Sequence, residues 1–358
     1  MLKTAEHLRK LGVSVDISLE FTPNLSTYDI VHLMNITRVK HTATQLRNAI
    51  RQHKKVVLSP IYWNTKEVSF SYIRQIVSCL ENIDSLRALT RAFLLSLTSK
   101  TIWMQTEELL LNRKMALFVL SNVNCILPNS KAEMEILKSD YIKVFRKHNV
   151  EFVITPNGVE PEVFYAASPE PFKKQYGLSN FILNVGRFSY RKNQLSLIKA
   201  LKGTNLKCVL IGEPTNSQTY HYTIKDTIDK LYYERCKKEA SSSFTFLKPM
   251  RHNELASAYA ACKVFVLPSL YETPGLSALE AALAGANICI TRGGATREYF
   301  SDFAFYCEPH DINSIREAIF KAYDAPKSNN LKERILKNFT WDRVAKVTLE
   351  AYERVLKK

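Results

Sequence analysis

Residues Lys263–Phe300 read KVFVLPSLYETPGLSALEAALAGANICITRGGATREYF. Val264 to Leu267 form an apolar run of strand type that stops at Pro268-Ser269. A loop with Glu272 and Thr273-Pro274-Gly275 follows, and an Ala- and Leu-rich helix opens near Ser277. The stretch therefore predicts a strand, a loop and a helix start. Amide groups at a helix start lack intrahelical partners and sit at the positive end of the macrodipole, so they favour a phosphate or other anion in front of them. Gly275 lets such a group approach closely. Glu272 and Glu280 stand with seven residues between them. A phosphate repels carboxylates, so these two read as acceptors for sugar hydroxyls on either side of it. Two plainer readings stay open: Ser277-x-x-Glu280 also fits a capping box, and Pro274-Gly275 also fits simple turn punctuation.

Working outward, further strands are expected at Phe181–Val185, Leu206–Ile211, Phe244–Leu247, Asn287–Thr291 and Phe303–Cys307, with helices between most of them and a helical tail after Asp311. In the first half, a helix over Leu2–Leu11 ends at Gly12. Strands follow at Val13–Ser18, Asp29–Met34, Lys55–Ser59, Asn124–Pro128 and Glu151–Thr155, and helices near Thr42–His53 and from Ser130. Strands alternating with helices at this spacing indicate doubly wound parallel sheets. Residues 66–121 depart from the alternation and read as two or three successive helices. Within them Leu86–Trp103 sets Arg87, Arg91 and Lys100 beside apolar residues. That pattern can lie on an anionic membrane, or it can be a core-facing helix with a solvated basic edge. PNGVEPEVF, Pro156–Phe164, reads as the bridge between domains.

With 358 residues and 46% hydrophobic content, the chain can fill two ordinary cores. No apolar run reaches membrane-spanning length and the N-terminus does not read as a signal peptide, so the expectation is a cytoplasmic protein. Seven scattered cysteines without a Cys-x-x-Cys argue against a disulfide framework or a zinc site. The net charge of +16 implies an anionic partner, but it is spread evenly over both halves and no nucleic-acid signature accompanies it. Nucleic acid is therefore not expected as a partner.

A second chemical feature is Asn184-Val185-Gly186-Arg187-Phe188-Ser189-Tyr190-Arg191-Lys192. A strand ends in Gly-Arg, and Lys192 stands at the start of the next helix. At the carboxyl edge of a parallel sheet an Arg fork and a Lys point charge can converge on a diphosphate.

Taken together, PNGVEPEVF, NVGRFSYRKN, IGEP (Ile211–Pro214), FLKPM, the stretch ELASAYAACKVFVLPSLYETPGLSALEAALAGA, GGATREYF and the terminal FTWDRVAKVTLEAYERVL resemble, in order, the retaining glycosyltransferases of family 4. The resemblance covers roughly residues 150–358. It implies the GT-B fold, two Rossmann-like domains facing across a cleft: an acceptor-side domain over 1–160, a nucleotide-sugar domain over 161–338, and a last helix, 339–358, crossing back. It implies that Arg187 and Lys192 hold the donor diphosphate, and that Glu272, the first glutamate of a Glu-x7-Glu motif, reaches the transferred sugar. Glu280 would take the ribose hydroxyls, the backbone of Thr273, Pro274, Gly275 and Leu276 would line the sugar and phosphate, and the backbone near Met250 would meet the base. Arg187, Lys192 and Glu272 are the expected catalytic residues. The expected reaction moves a hexosyl group from a nucleotide-diphosphate sugar to a glycan or lipid-linked glycan in surface polysaccharide synthesis, with peripheral contact to an anionic membrane. No cofactor is expected, and no metal, since no Asp-x-Asp occurs in the chain.

Two departures qualify the resemblance. Family members open with a strand and a Gly-rich loop, whereas this sequence begins within the helix that follows. The expectation is that the first sheet lacks a central strand and that about 15–20 residues precede Met1 in a longer protein. Many members also carry a histidine where this chain has Ser59-Pro60-Ile61-Tyr62-Trp63, which leaves His32, Tyr62 and Trp63 as weak acceptor-side candidates. The rival readings are a non-catalytic nucleotide-sugar-binding protein and a nucleotide-sugar epimerase of the same architecture.

Overall fold

The computed structural model describes residues 1–63, 101–215 and 224–358. The described chain divides into two compact units. The first comprises Met1–Asn64, Ile102–Gly158 and Asn338–Lys358, and the second is built on Val159–Lys337.

In the first unit β1 (Ile30–Met34), β2 (Lys55–Ser59), β3 (Cys125–Ile126) and β4 (Glu151–Phe152) pair in that order, all parallel. The alternation along β2 explains the layering. Val56 and Leu58 enter a core with Ala43 and Leu46 of the helix Val39–Arg51, while Val57 enters another with Leu8, Ala345, Ala351 and Val355. A strand buried on both faces reads as an unbroken apolar run, as Val-Val-Leu does here. The second face is closed by the helices Leu2–Lys10 and Trp341–Leu356, so the last helix belongs to the first unit's core. Gly158 lies against the start of that helix: a Cβ there would stand 2.7 Å from the Trp341 nitrogen.

The strand expected at Val13–Ser18 is not formed. Its alternation is of strand type, but a strand needs a ladder partner, and β1 pairs only with β2 among the described residues. Instead Val13 and Val15 pack beside Leu8, and the Val15 carbonyl accepts from the Arg9 guanidinium at 3.0 Å. Among the described residues β1 is consequently an edge strand. The basic stretch Leu86–Trp103 lies outside the described residues except for its end, which opens the helix Thr101–Asn122.

The second unit carries a six-stranded parallel sheet in the order β10 (Phe305–Cys307), β9 (Asn287–Thr291), β8 (Val264–Leu267), β5 (Ile182–Val185), β6 (Cys208–Ile211), β7 (Phe244–Leu247). β6 and β8 are buried throughout, and Leu210, Val264, Val266 and Cys289 share a core with Leu197, Ile198, Ile315 and Ile319 of the covering helices.

Candidate functional site

The second sheet reverses once. The chain lays β5, β6 and β7 outward in one direction, then returns to place β8 on the other side of β5. Loops leaving the carboxyl ends of β5 and β8 diverge at that point, which opens the crevice where ligands bind in doubly wound sheets. Arg187 and Lys192 follow β5, and Glu272 and Gly275 follow β8.

The floor of this crevice is backbone. Gly212, at the end of β6, approaches Gly186 so closely that a Cβ on it would lie 2.1 Å from the Gly186 carbonyl oxygen. After the short 3-10 turn Tyr190–Lys192, Asn193 takes the left-handed conformation (φ 58°, ψ 32°). Its buried amide donates to the carbonyls of Pro268 (2.9 Å) and Pro309 (2.7 Å). One side chain thus ties together the loops after β5, β8 and β10.

The loop after β8 is stitched to the loop after β9: the Glu272 amide donates to Gly293 O (3.1 Å) and the Ala295 amide to Glu272 O (2.9 Å). Gly294 makes this possible, since a Cβ there would sit 2.1 Å from Glu272 O. The Thr273–Pro274 peptide is cis, and Gly275 (φ 90°) is the N-cap of the helix Leu276–Leu283, with no side chain capping it. Ser277 is therefore inside the helix, and the capping-box alternative for Glu280 is not realised. Glu280 instead accepts from the Tyr259 hydroxyl at 3.1 Å, from the helix His252–Ala261. Burial pushes its carboxyl up to about 7; the Tyr259 hydrogen bond opposes this and the Glu160 charge adds to it.

Glu272 is 5% exposed, and its Oε1 lies 2.6 Å from Lys192 Nζ and 3.6 Å from the Arg191 guanidinium. Burial would raise this carboxyl, but Lys192 and Arg191 more than offset that and hold it below the usual glutamate value. Lys192 is lowered by its own burial, which Glu272 only partly counters, with Arg191 and Arg187 pushing the same way as burial. Arg187 points an exposed side chain from the same turn, while its carbonyl is held by the Gln194 amide at 3.1 Å. Two cations thus pair with one carboxylate and Arg187 acts on Lys192 from the same turn, so the crevice carries excess positive charge beside a helix start.

The structure brings Arg187, Lys192, Glu272, Thr273, Pro274 and Gly275 to this one place, with Leu276 at its rim and Glu280 a turn further into the helix. Met250 lies after β7 and lines a separate recess of about 190 Å³ with Phe172, Tyr176 and Lys248. His32, Tyr62 and Trp63 lie in the first unit. Tyr62 is a core residue: its amide donates to the buried Glu133 carboxylate and its hydroxyl to Asp140 at 2.8 Å. Trp63 is half-buried. His32 is held at both nitrogens, Nδ1 to the Tyr352 hydroxyl (2.7 Å) and Nε2 to Ser59 Oγ (2.9 Å), and burial followed by the N-terminal ammonium lowers it to about 4. Sequence reasoning missed Arg191, Asn193 and Tyr259. Only Arg191 left a signal, a third cation beside Lys192.

The architecture has known counterparts. Sucrose-phosphate synthase from Thermosynechococcus elongatus superposes with a TM-score of 0.64 at 18% identity, over 92% of this chain and 74% of that one. HepE from Anabaena, crystallised with UDP and glucose, superposes with a TM-score of 0.63 at 15% identity, over 98% and 81%. The two all-parallel α/β units are of the GT-B class. More narrowly, residues 170–338, most of the second unit, match the family described as Glycosyl transferases group 1. A D-inositol 3-phosphate glycosyltransferase of Stackebrandtia nassauensis is 28% identical over 253 residues, 65% of this chain and 55% of that protein. The chain spans about half the length of the curated relatives it matches. Among the described residues no helix is long and apolar enough to cross a membrane.

Proposed function

We propose that this protein is a family 4 glycosyltransferase that moves a hexosyl group from a nucleotide-diphosphate sugar to a glycan or lipid-linked glycan, with retention of configuration. The observation that carries the reading is the Lys192–Glu272 pair, joined at 2.6 Å where the sheet reverses, beside the helix start at Gly275. A carboxylate held ionised can accept from sugar hydroxyls, while excess cations and unpaired amides can take a diphosphate.

In this reading Arg187 and Lys192 stabilise the diphosphate as the bond from its oxygen to the sugar breaks. The amides of Thr273, Gly275 and Leu276 face the same charge, Glu272 fixes the sugar, Glu280 accepts from the ribose hydroxyls and the backbone at Met250 meets the base. The acceptor hydroxyl attacks on the face the diphosphate leaves, and its proton passes to the departing phosphate oxygen. Two cations and a helix start supply the charge that a metal clamp supplies in other transferases. The UDP and glucose in the HepE crystals support a uridine nucleotide as the first donor to try. The net charge of +16 favours an acceptor presented at an anionic membrane surface on the cytoplasmic side.

A melting screen with UDP-, GDP- and ADP-sugars tests the reading, because a ligand at a hundredfold its dissociation constant stabilises by about 2.7 kcal/mol. Acceptor-dependent release of the nucleotide from the stabilising donor is expected. Epimer formation without acceptor, or tight binding without turnover, would overturn it in favour of an epimerase or a binding protein.

A further inference from the structure

In the structure Lys192 spends its charge on Glu272. The reading above asks Lys192 to serve a diphosphate instead, which would leave a 5% exposed carboxylate without its closest cation. A buried carboxylate that loses its partner takes up a proton rather than stay charged. A protonated Glu272 would donate one hydrogen bond where the sugar needs an ionised acceptor.

Arg191 is placed to prevent this. Its guanidinium is 3.6 Å from the same oxygen, Glu272 Oε1, and its ion pair among the described residues is with that carboxylate. Three further contacts hold it there. It donates to the Tyr271 carbonyl at 3.3 Å, it lies over the Tyr271 ring at 5.3 Å, and its own carbonyl accepts from the Leu270 amide at 2.8 Å. Arg191 therefore rides with the loop that bears Glu272, whereas the ammonium of Lys192, its neighbour in sequence, meets that loop at the Glu272 carboxylate itself. Among the described residues no charge other than Lys192 and Arg191 acts on Glu272, and the loop after β9 meets it with the backbone of Gly293, Gly294 and Ala295.

We propose that Arg191 is the relief counter-ion of Glu272, taking over the carboxylate when Lys192 turns to the donor diphosphate. It is a positioning residue, acting through Glu272 and not on the substrate. The inference rests on the donor-site reading and predicts an asymmetry. In the free protein Lys192 keeps Glu272 ionised whether or not Arg191 is present. In the donor complex only Arg191 does so.

The test is the pH dependence of Arg191→Gln beside the wild type, with Arg191→Lys as the charge-conserving control. The acid limb of kcat reports on the complex and that of kcat/KM on the free enzyme. For Arg191→Gln the kcat limb should move up by about one pH unit, so that turnover one unit below the wild-type limb falls roughly tenfold more than at pH 8. The kcat/KM limb should move by less than about 0.3 units, and Arg191→Lys should restore most of the kcat limb. Carbon-13 titration of the Glu272 carboxyl with and without UDP gives the same comparison without turnover. Equal movement of both limbs, or of neither, overturns the proposal, as does a Glu272 carboxyl that titrates identically with and without UDP in Arg191→Gln. Absence of any donor-dependent turnover or UDP binding in the wild type overturns the donor-site reading itself, and the proposal with it.

Discussion

Lys192 Nζ and Glu272 Oε1 are 2.6 Å apart although the residues are separated by 80 positions and leave different strands. Both are largely buried, with side-chain exposures of 15% and 6%. Removing one partner of such a pair strands the other, at a cost of about 3–5 kcal/mol, whereas replacing both by apolar groups costs far less. Arg191 stays 3.6 Å from the carboxylate, so Lys192→Met should destabilise the second unit by less than that amount, and Lys192→Met with Glu272→Leu should recover more than half. Denaturant-dependent amide exchange at Val264–Leu267 measures it. A glutamate held low stabilises the fold above its ordinary value of 4.5 and loses that contribution as pH falls through its lowered one, so the penalty of Lys192→Met should shrink below pH 4.5.

Glu280 carries the opposite sign. Its carboxyl is raised from 4.5 to about 7, so the folded state favours the protonated form. That contribution is complete below pH 4.5 and is lost as pH rises to about 7. Glu280→Gln, which removes the charge, should raise the melting temperature at pH 8 and leave it nearly unchanged at pH 4.5. If Glu280 accepts from the ribose, the same change should weaken nucleotide binding by calorimetry at pH 8. A variant that is more stable yet binds as tightly as the wild type would remove Glu280 from the donor site.

How far the site could be read from residues alone depends on what sets each piece. The strands Lys55–Ser59, Val264–Leu267 and Asn287–Thr291 were legible to the residue, because the buried middle of a parallel strand is continuously apolar and a proline, glycine or charge marks its end. Arg187, Lys192, Glu272 and Gly275 were legible because each stands just past such an end. Val13–Ser18 misled, since alternation reports which faces can be buried and not whether a partner strand lies alongside. Asn193, Tyr259 and Arg191 were hidden for a related reason: their roles rest on contacts with Pro309, Glu280 and Tyr271, and no local pattern encodes such a contact.

His32 should behave as a neutral imidazole well below its ordinary range. Both ring nitrogens are engaged and burial lowers it from 6.5 to about 4. Its contribution to stability is complete above pH 6.5 and is lost as pH falls towards 4, the unfolded chain taking up the proton first. Nitrogen-15 shifts of the His32 ring should stay in the neutral range at pH 5.5; a midpoint near 6.5 would contradict the burial described for it.

Gly212 and Gly177 make a controlled pair. A Cβ on Gly212 would lie 2.1 Å from the Gly186 carbonyl, while Gly177 (φ 64°) has nothing within 4 Å of its place. Gly177→Ala should cost only the left-handed backbone preference, about 1–2 kcal/mol. Gly212→Ala must push β6 away from β5 and should cost more than that, on the order of 3 kcal/mol or above. It should also weaken nucleotide binding, which Gly177→Ala should not. Melting curves and calorimetry with UDP separate the two.

The double hydrogen bond of Asn193 to Pro268 and Pro309 has a consequence for how this domain can vary. Three loops from non-adjacent parts of the sequence share one amide, so none can be lengthened or re-angled independently. An insertion beside Pro309, remote in sequence from every cation of the crevice, would pull on the turn that aims Lys192. Such loops drift together or not at all, and divergence in donor preference is channelled to the rim at Leu276, whose side chain is exposed.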